Sequence, residues 1–203
     1  MEIELYDKSE VESNILQIEK EYKYIPGIGH KLGRYMLSDN ILERMKKLTD
    51  RSIEINKEIG FTFCANEDFN ITNSSQFIPI SPGETCVGDE CELIRQNCPQ
   101  DKINIGGFHT HPPDNVPHMT YADANLAYEN GIECIGTHKE ISCFIRKSDY
   151  ANEQIQKTLN SLYDKITKLN EQVELHSEKM DKENYIDHTR KFLRDNFKET
   201  KIE

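Results

Sequence analysis

The N-terminal part of the chain carries apolar side chains at the spacing of α-helices. Ser9 and Glu12 form an S-x-x-E capping box, which predicts a helix start. The apolar positions of this first helix recur three and four residues apart: Val11, Ile15, Ile18 and Tyr22. After the breaker sequence PGIG and Gly33, Ser38 is a candidate N-cap for a second helix, which we expect to end at Gly60. Its predicted apolar face comprises Ile41, Met45, Leu48, Ser52 and Ile55.

Between Gly60 and Arg146 the hydrophobic pattern changes to short runs typical of strands. These runs are bounded by Asn, Pro, Gly and Asp, and they occupy residues 61–65, 76–80 and 102–109. Residues 120–130 have a helical pattern that Gly131 closes. The runs 132–137 and 141–146 predict a β-hairpin. This alternation of helices and strands predicts a mixed α/β or α+β domain.

Beyond residue 150 the chain is highly charged, with a seam at strict four-three spacing over about four heptads. The seam comprises Ile155, Leu159, Leu162, Ile166, Leu169, Val173, His176 and Met180. It fits a helix packed on the domain or on the N-terminal helix, a coiled coil that forms a homodimer, or a surface for a partner helix. Residues 184–198 predict a further helix. We therefore expect an N-terminal helical extension (1–33), a central domain (34–148) and a C-terminal helical, coiled-coil-like extension (149–203).

The overall charge argues against some classes of partner. The 203 residues are 36% hydrophobic and 30% charged, with a formal net charge of −11. Such an acidic surface disfavours binding to nucleic acid or to an anionic membrane. The chain has no apolar stretch near the roughly 18 residues that span a bilayer. Its acidic first residues do not resemble a secretory signal. The sequence therefore predicts a soluble, cytoplasmic protein.

Six cysteines are present, and a reducing compartment favours thiols or metal ligation over disulfides. Four of them precede the histidine-rich run: Cys64, Cys86, Cys91 and Cys98. The C-x2-C spacing of structural zinc sites is absent, so packed thiols are favoured, with a second metal site or a disulfide as alternatives. Cys134 and Cys143 lie in the predicted hairpin and are expected to be core residues.

The run HTHPPDNVPHMTYAD, from His109 to Asp123, carries the candidate chemistry. Two histidines two residues apart on a strand point to the same side, so His109 and His111 can offer two nitrogens to one metal ion. Asp123, in the first turn of the following helix, can supply a third ligand. Three such ligands and an open fourth position are typical of a catalytic zinc site. His118, within the run, is expected to be a solvated loop residue.

These residues resemble the pattern of the JAMM family of metallopeptidases, also called MPN+ or JAB. That pattern is a glutamate, a long gap, H-x-H-P, a short loop and S-x-x-D. HTHP matches it letter for letter, and Thr120 to Asp123 stand where S-x-x-D is expected, with threonine for serine and a spacer one residue longer. Glu58 stands at the family's glutamate, with Glu54 as the alternative. The matched region, 38–146, covers about half of the chain.

The resemblance implies a mixed β-sheet flanked by helices, with a layering similar to that of cytidine deaminases. It also implies a zinc ion held by His109, His111 and Asp123, with Glu58 as the general acid–base and Thr120 as the group that stabilises an oxyanion. The implied substrate is a peptide or isopeptide bond of a protein or peptide, including ubiquitin-like modifiers. The alternative is a non-catalytic scaffold of the same fold that acts through its terminal helices. A metallo-β-lactamase site is disfavoured, because HTHPPDN lacks the last histidine of H-x-H-x-D-H.

Overall fold

The structure, a computed structural model, describes residues 23–25, 29–66, 78–88, 98–113, 121–148, 151–161, 191 and 193–202. Several sequence predictions lie outside these residues: the helix over residues 9–22, Cys91, His118, Thr120, and the heptad seam beyond residue 161.

The described residues form two sheets, the helices α1 and α2, and further helical stretches at residues 153–161 and 193–196. The strands are β1 (Lys23–Ile25), β2 (Gly29–Leu32), β3 (Tyr35–Leu37), β4 (Ile59–Asn66), β5 (Ile78–Pro79), β6 (Ser81–Val87), β7 (Lys102–Thr110), β8 (Ile132–Gly136), β9 (Ile141–Arg146) and β10 (Phe197–Ile202). The helices are α1 (Asp39–Ile55) and α2 (Tyr121–Asn130). The prediction of a mixed α+β fold is confirmed at this level.

The main sheet has six strands in the order β10-β9-β8-β7-β4-β6, and a smaller sheet has the order β1-β2-β3-β5. Among the strand pairs described for the main sheet, only β7 and β8 run parallel. α2 makes the crossover between these two strands, as the connection of parallel neighbours requires. The carboxyl end of β7 and the amino end of α2 therefore meet at one edge of the fold.

Helix α1 begins where its sequence predicts. Ser38 is the N-cap, and its hydroxyl oxygen accepts a hydrogen bond from the backbone N–H of Ile41. The helix ends at Asn56, which has a left-handed φ of 50°, and so stops before the predicted Gly60. Its buried face comprises Ile41, Leu42, Met45, Thr49 and Ser52. This face packs against β4, β7 and β8.

The core beneath α1 is built from aromatic residues on β4 and β7. Phe61, Phe63 and Phe108 are fully buried. The ring centroid of Phe61 lies 5.5 Å from each of the other two, within the range of favourable aromatic contacts. This buried aromatic layer packs α1 against the strands that carry the candidate site.

Helix α2 is held at its carboxyl end by the buried Arg146 of β9. The guanidinium donates hydrogen bonds to the carbonyl oxygens of Tyr128 and Glu129, and the backbone N–H of Arg146 donates to Gly131. A cation at this end of a helix also offsets the partial negative charge of the helix dipole. A helix is a rigid rod, so holding its carboxyl end also restricts where its first turn can lie. That first turn carries Asp123, which contacts His109 at the end of β7.

The N-terminal extension is not helical where it is described. Residues 23–25 and 29–32 form β1 and β2, and β2 pairs antiparallel with β3 in the smaller sheet. The predicted boundary at 33/34 therefore falls inside a hairpin. Strands of three or four residues are too short to give a period-two signal in the sequence, so this part of the sheet was missed.

The C-terminal region begins as a helix and ends as a strand. Residues 153–161 are helical, Leu159 is buried, and the side chain of Gln156 donates a hydrogen bond to that of Asn125 on α2. The start of the seam thus packs on the domain. Residues 197–202, in contrast, form β10, which pairs antiparallel with β9. The prediction of helix to residue 198 is wrong there, and the main sheet includes residues on both sides of the predicted boundary at 148/149.

The prediction of free thiols is wrong for every cysteine that the structure describes. Cys64 is bonded to Cys98, and Cys134 to its cross-strand neighbour Cys143; Cys86 is also disulfide-bonded. Strand register pairs Cys134 with Cys143, whereas Cys98 lies outside the strands and reaches Cys64 from the segment that precedes β7. Disulfides are typical of oxidising compartments and so do not support the expected reducing one. None of the described helices is both long and apolar enough to cross a bilayer.

Gly106 of β7 offers a sharp test of this sheet. Its φ is +138°, and an added Cβ would lie 1.6 Å from the carbonyl oxygen of Ile132 on β8. We expect Gly106→Ala to lower the free energy of unfolding by roughly 3 kcal/mol or more, because both backbone strain and overlap oppose it. Gly88→Ala is the control, since φ there is +68° but a Cβ would meet nothing within 4 Å. Urea unfolding of both variants measures the difference; equal losses would contradict the described β7–β8 contact.

Candidate metal centre

The end of β7 sends alternate side chains to opposite sides of the main sheet. Phe108 and Thr110 face α1, where Thr110 contacts Ser52, whereas His109 faces α2 and contacts Asp123. The pairing of β7 with β8 continues past the strand, because the backbone N–H of His111 donates to the carbonyl of Gly136. His111 therefore returns to the side of His109, as the spacing of two predicts.

Three buried side chains converge between β7 and α2. His109, His111 and Asp123 are 6%, 5% and 4% exposed. The Nε2 atoms of the two histidines lie 3.2 Å apart. Asp Oδ1 lies 3.0 Å from His109 Nε2, and Oδ2 lies 3.6 Å from His111 Nε2. Together they form a group that can hold a metal ion.

The separations of these atoms fit a tetrahedral ion. Ligand bonds of about 2.0–2.1 Å place the ligand atoms of such an ion roughly 3.3 Å apart. The three observed distances lie close to that value. Two imidazole nitrogens and one carboxylate also suit a borderline divalent cation, and they leave a fourth position for water or substrate.

A fourth buried residue, Glu133 on β8, supports the site from behind. Its Oε1 lies 2.8 Å from Nδ1 of His109, and the residue is 1% exposed. A carboxylate there orients the ring so that Nε2 faces the metal position, and it makes the imidazole a stronger ligand. Sequence analysis missed Glu133. The one feature of the sequence that could have revealed Glu133 is that it is the single acidic residue in the otherwise apolar run GIECIG.

The two carboxylates change the protonation of His109. Burial by itself lowers the pKa of its imidazole, but the charges and hydrogen bonds of Asp123 and Glu133 raise this pKa from 6.5 to about 9. A protonated His109 therefore balances the buried negative charge when no metal is bound. A divalent cation would take over that role and displace the proton.

Glu58 lies at the junction of α1 and β4, directly before the first residue of β4. Gly60 is paired with His109 across β4 and β7. Continuing that antiparallel register by two residues places Glu58 opposite His111, and residues two apart share a side of the sheet. Gly60 allows β4 and β7 to lie this close together at His109. A Cβ on residue 60 would lie 2.6 Å from the carbonyl oxygen of Phe108 and 3.1 Å from the Cβ of His109.

The alternative glutamate, Glu54, lies away from the site. Its side chain is 65% exposed on α1 and forms an ion pair with Arg51. The structure thus favours Glu58 as the glutamate associated with the histidines. Of the remaining predicted site residues, His109, His111 and Asp123 are brought together, and Thr120 lies outside the described residues.

Comparison with models of known protein families finds no match to this chain, and no curated protein matches it. The case for a function therefore depends on the residue types and the geometry of the site.

Glu133→Gln tests the supporting carboxylate. The variant keeps the shape of the side chain but removes the charge beside Nδ1 of His109, so we expect the affinity for a divalent metal to fall roughly 10- to 100-fold. Competition with a chelator measures it. Glu140→Gln is the matched control, because Glu140 lies on the β8–β9 turn and pairs with Lys201. Equal affinity of both variants would exclude a supporting role for Glu133.

The raised pKa of His109 gives the metal-free protein a defined pH dependence. Protonated His109 stabilises the fold fully below its ordinary pKa of 6.5, and this contribution is lost as the pH rises towards about 9. We expect the free energy of unfolding to fall by roughly 2 to 4 kcal/mol across this window. Urea unfolding with chelator present measures the loss. His109→Gln should lack this loss of stability between pH 6.5 and about 9. If its free energy of unfolding fell with pH as steeply as that of wild type, His109 would not be the group responsible.

Proposed function

We propose that the protein is a zinc-dependent peptidase or isopeptidase of JAMM type, whose substrate is a protein or peptide. The observation that carries the proposal is the convergence of His109, His111 and Asp123 beside the position of Glu58. These four residues match the family pattern in type and order, and they come from three separate parts of the fold: the start of β4, the end of β7 and the first turn of α2. A chance H-x-H pair would have no reason to meet an aspartate and a glutamate on the same side of the sheet.

Zinc is the proposed metal, because two imidazoles and a carboxylate with an open fourth position suit it. A zinc ion so held acidifies a water molecule and polarises a carbonyl group. His109, His111 and Asp123 would hold the ion, and Glu133 would keep the ring of His109 in the orientation that presents Nε2.

Glu58 is the proposed general acid–base. Its position opposite His111 allows its carboxylate to take up a proton beside the metal position and deliver it to the leaving amine of the cleaved bond. The residue is half-buried, which suits a base that must reach both the metal position and the substrate. Thr120 is the proposed oxyanion-stabilising group, because its hydroxyl replaces that of the family's serine.

The arrangement of elements supports a JAB-like fold. A helix leads directly into the strand after Glu58, and a β7–α2–β8 unit carries the other three residues. The proposed substrate bond is a peptide or isopeptide bond, including that of a ubiquitin-like modifier. The heptad seam is a proposed contact for a second copy or a partner helix, although its first turns pack on α2.

The decisive experiment measures metal content and cleavage together. Ubiquitin-like fusions and isopeptide-linked conjugates are the substrates for wild type, Glu58→Gln, Glu54→Gln and His109→Ala. We expect Glu58→Gln to keep its metal and lose roughly 100-fold or more in kcat, whereas His109→Ala loses both. Glu54→Gln, one helical turn away and exposed, should match wild type.

Two results would contradict the proposal. Full metal content and activity in His109→Ala would remove the metal centre from the mechanism. A metal-loaded wild type that cleaves none of these substrates, with Glu58→Gln indistinguishable from it, would instead favour the non-catalytic scaffold.

A further inference from the structure

We propose that Thr110 and Ser52 are positioning residues, whose hydroxyls set the backbone of Glu58 from the opposite side of the sheet. The inference deepens the proposed function and rests on it for the role of Glu58. Thr110 is the central residue of the H-T-H run and is fully buried, and Ser52 is 1% exposed on α1. Neither side chain is on the side of the metal ligands.

The two hydroxyls form a continuous chain of hydrogen bonds. The backbone N–H of Ile59 donates to Thr110 Oγ1 at 2.9 Å. The hydroxyl of Thr110 donates to Ser52 Oγ at 2.7 Å. The hydroxyl of Ser52 in turn donates to the carbonyl oxygen of Lys57 at 2.7 Å. Each hydroxyl thus accepts one hydrogen bond and donates another. The direction of the chain of hydrogen bonds is fixed because a backbone N–H starts it and a backbone carbonyl ends it.

These two ends belong to the two peptide groups that flank Glu58. The Lys57 carbonyl is part of the peptide group before Glu58, and the Ile59 N–H is part of the one after it. The carbonyl of Glu58 itself accepts a hydrogen bond from the backbone N–H of Gly88, at 2.7 Å. With both flanking peptide groups held, the φ and ψ of Glu58 are fixed, and with them the direction of its Cα–Cβ bond.

The chain of hydrogen bonds also couples Glu58 to the metal ligands. Thr110 lies between His109 and His111 on one continuous backbone, so the group that holds Ile59 moves with both histidines. A general base must lie within hydrogen-bonding reach of the proton it takes, and errors of about 1 Å can cost roughly 100-fold in rate. Fixing Glu58 to the same strand that carries the ligands keeps that distance constant.

Thr110→Val is the central test, because it keeps the shape of the side chain and removes the hydroxyl. The variant leaves the buried N–H of Ile59 without its acceptor. We expect faster amide hydrogen exchange at Ile59, full metal content, a kcat lowered roughly 10- to 100-fold and a KM within about threefold of wild type. Thr110→Ser, which retains the hydroxyl, should restore Ile59 protection and most of kcat.

Thr49→Val is the matched control for a merely structural effect. Thr49 is also buried, and its hydroxyl donates to the Met45 carbonyl within α1, with no link to residue 58. We expect Thr49→Val to leave Ile59 exchange and kcat unchanged at temperatures where it is folded. Ser52→Ala removes the link to Lys57 and the acceptor of the Thr110 hydroxyl, but it leaves the bond from Ile59 to Thr110 in place. It should lower kcat with metal content intact, and it decides the matter if Thr110→Val does not fold.

The two proposals fail in distinguishable ways. Unchanged Ile59 exchange in Thr110→Val, or a Thr110→Ser variant as impaired as Thr110→Val, would overturn the positioning role. Loss of metal from Thr110→Val, or equal losses of kcat in Thr110→Val and Thr49→Val, would also overturn it. A wild type without activity, but with Ile59 exchange that responds to Thr110→Val as expected, would refute the peptidase proposal and leave the anchoring of Glu58 intact.

Discussion

The side-chain alternation at the end of β7 is the constraint on which the candidate site depends. Because extended backbone sends successive side chains to opposite sides, His109 and His111 meet Asp123 under α2, and Thr110 meets Ser52 under α1. One short stretch of chain therefore connects a polar centre on one side of the sheet with a helix on the other. A slip of one residue in the register of this strand would exchange the two sides and destroy both arrangements.

The second determinant is the charge buried on the α2 side. Two carboxylates, Asp123 and Glu133, are almost fully buried together with two imidazoles. Buried carboxylates need a compensating positive charge, and the raised pKa of His109 shows one way in which the protein supplies it. A proton on His109 and a metal ion held by the three side chains would serve the same electrostatic purpose. The buried carboxylates thus define a position for positive charge beside His109.

Sequence reasoning succeeded where the signal is local. The N-cap Ser38, strand β7, helix α2 and the β8–β9 hairpin each follow from a short pattern, and the two histidines follow from a period of two. It failed where the fold brings together residues that are distant in the sequence. The Cys64–Cys98 disulfide, the strand β10 and Glu133 belong to this second class, because nothing in their immediate neighbours indicates which residue they will face.

The Glu58 neighbourhood shows the same division within one site. The type and place of the glutamate follow from a resemblance in sequence, but its choice over Glu54 required the pairing of Gly60 with His109 and the exposure of Glu54 on α1. Neutral hydroxyls such as those of Ser52 and Thr110 leave no periodic trace. Their hydrogen bonds become visible only when strand and helix are placed against each other.

The pairing of β9 with β10 has a consequence for how this protein can change over evolution. The chain leaves the main sheet after Arg146 and returns at Phe197, its cross-strand neighbour. The backbone N–H of Lys147 also donates to the carbonyl of Asn196. The two ends of the intervening stretch, Lys147 and Asn196, therefore lie side by side at the sheet. Since the entropy of loop closure grows only with the logarithm of length, insertions and deletions there can be absorbed while His109 and His111 keep their place in the sheet.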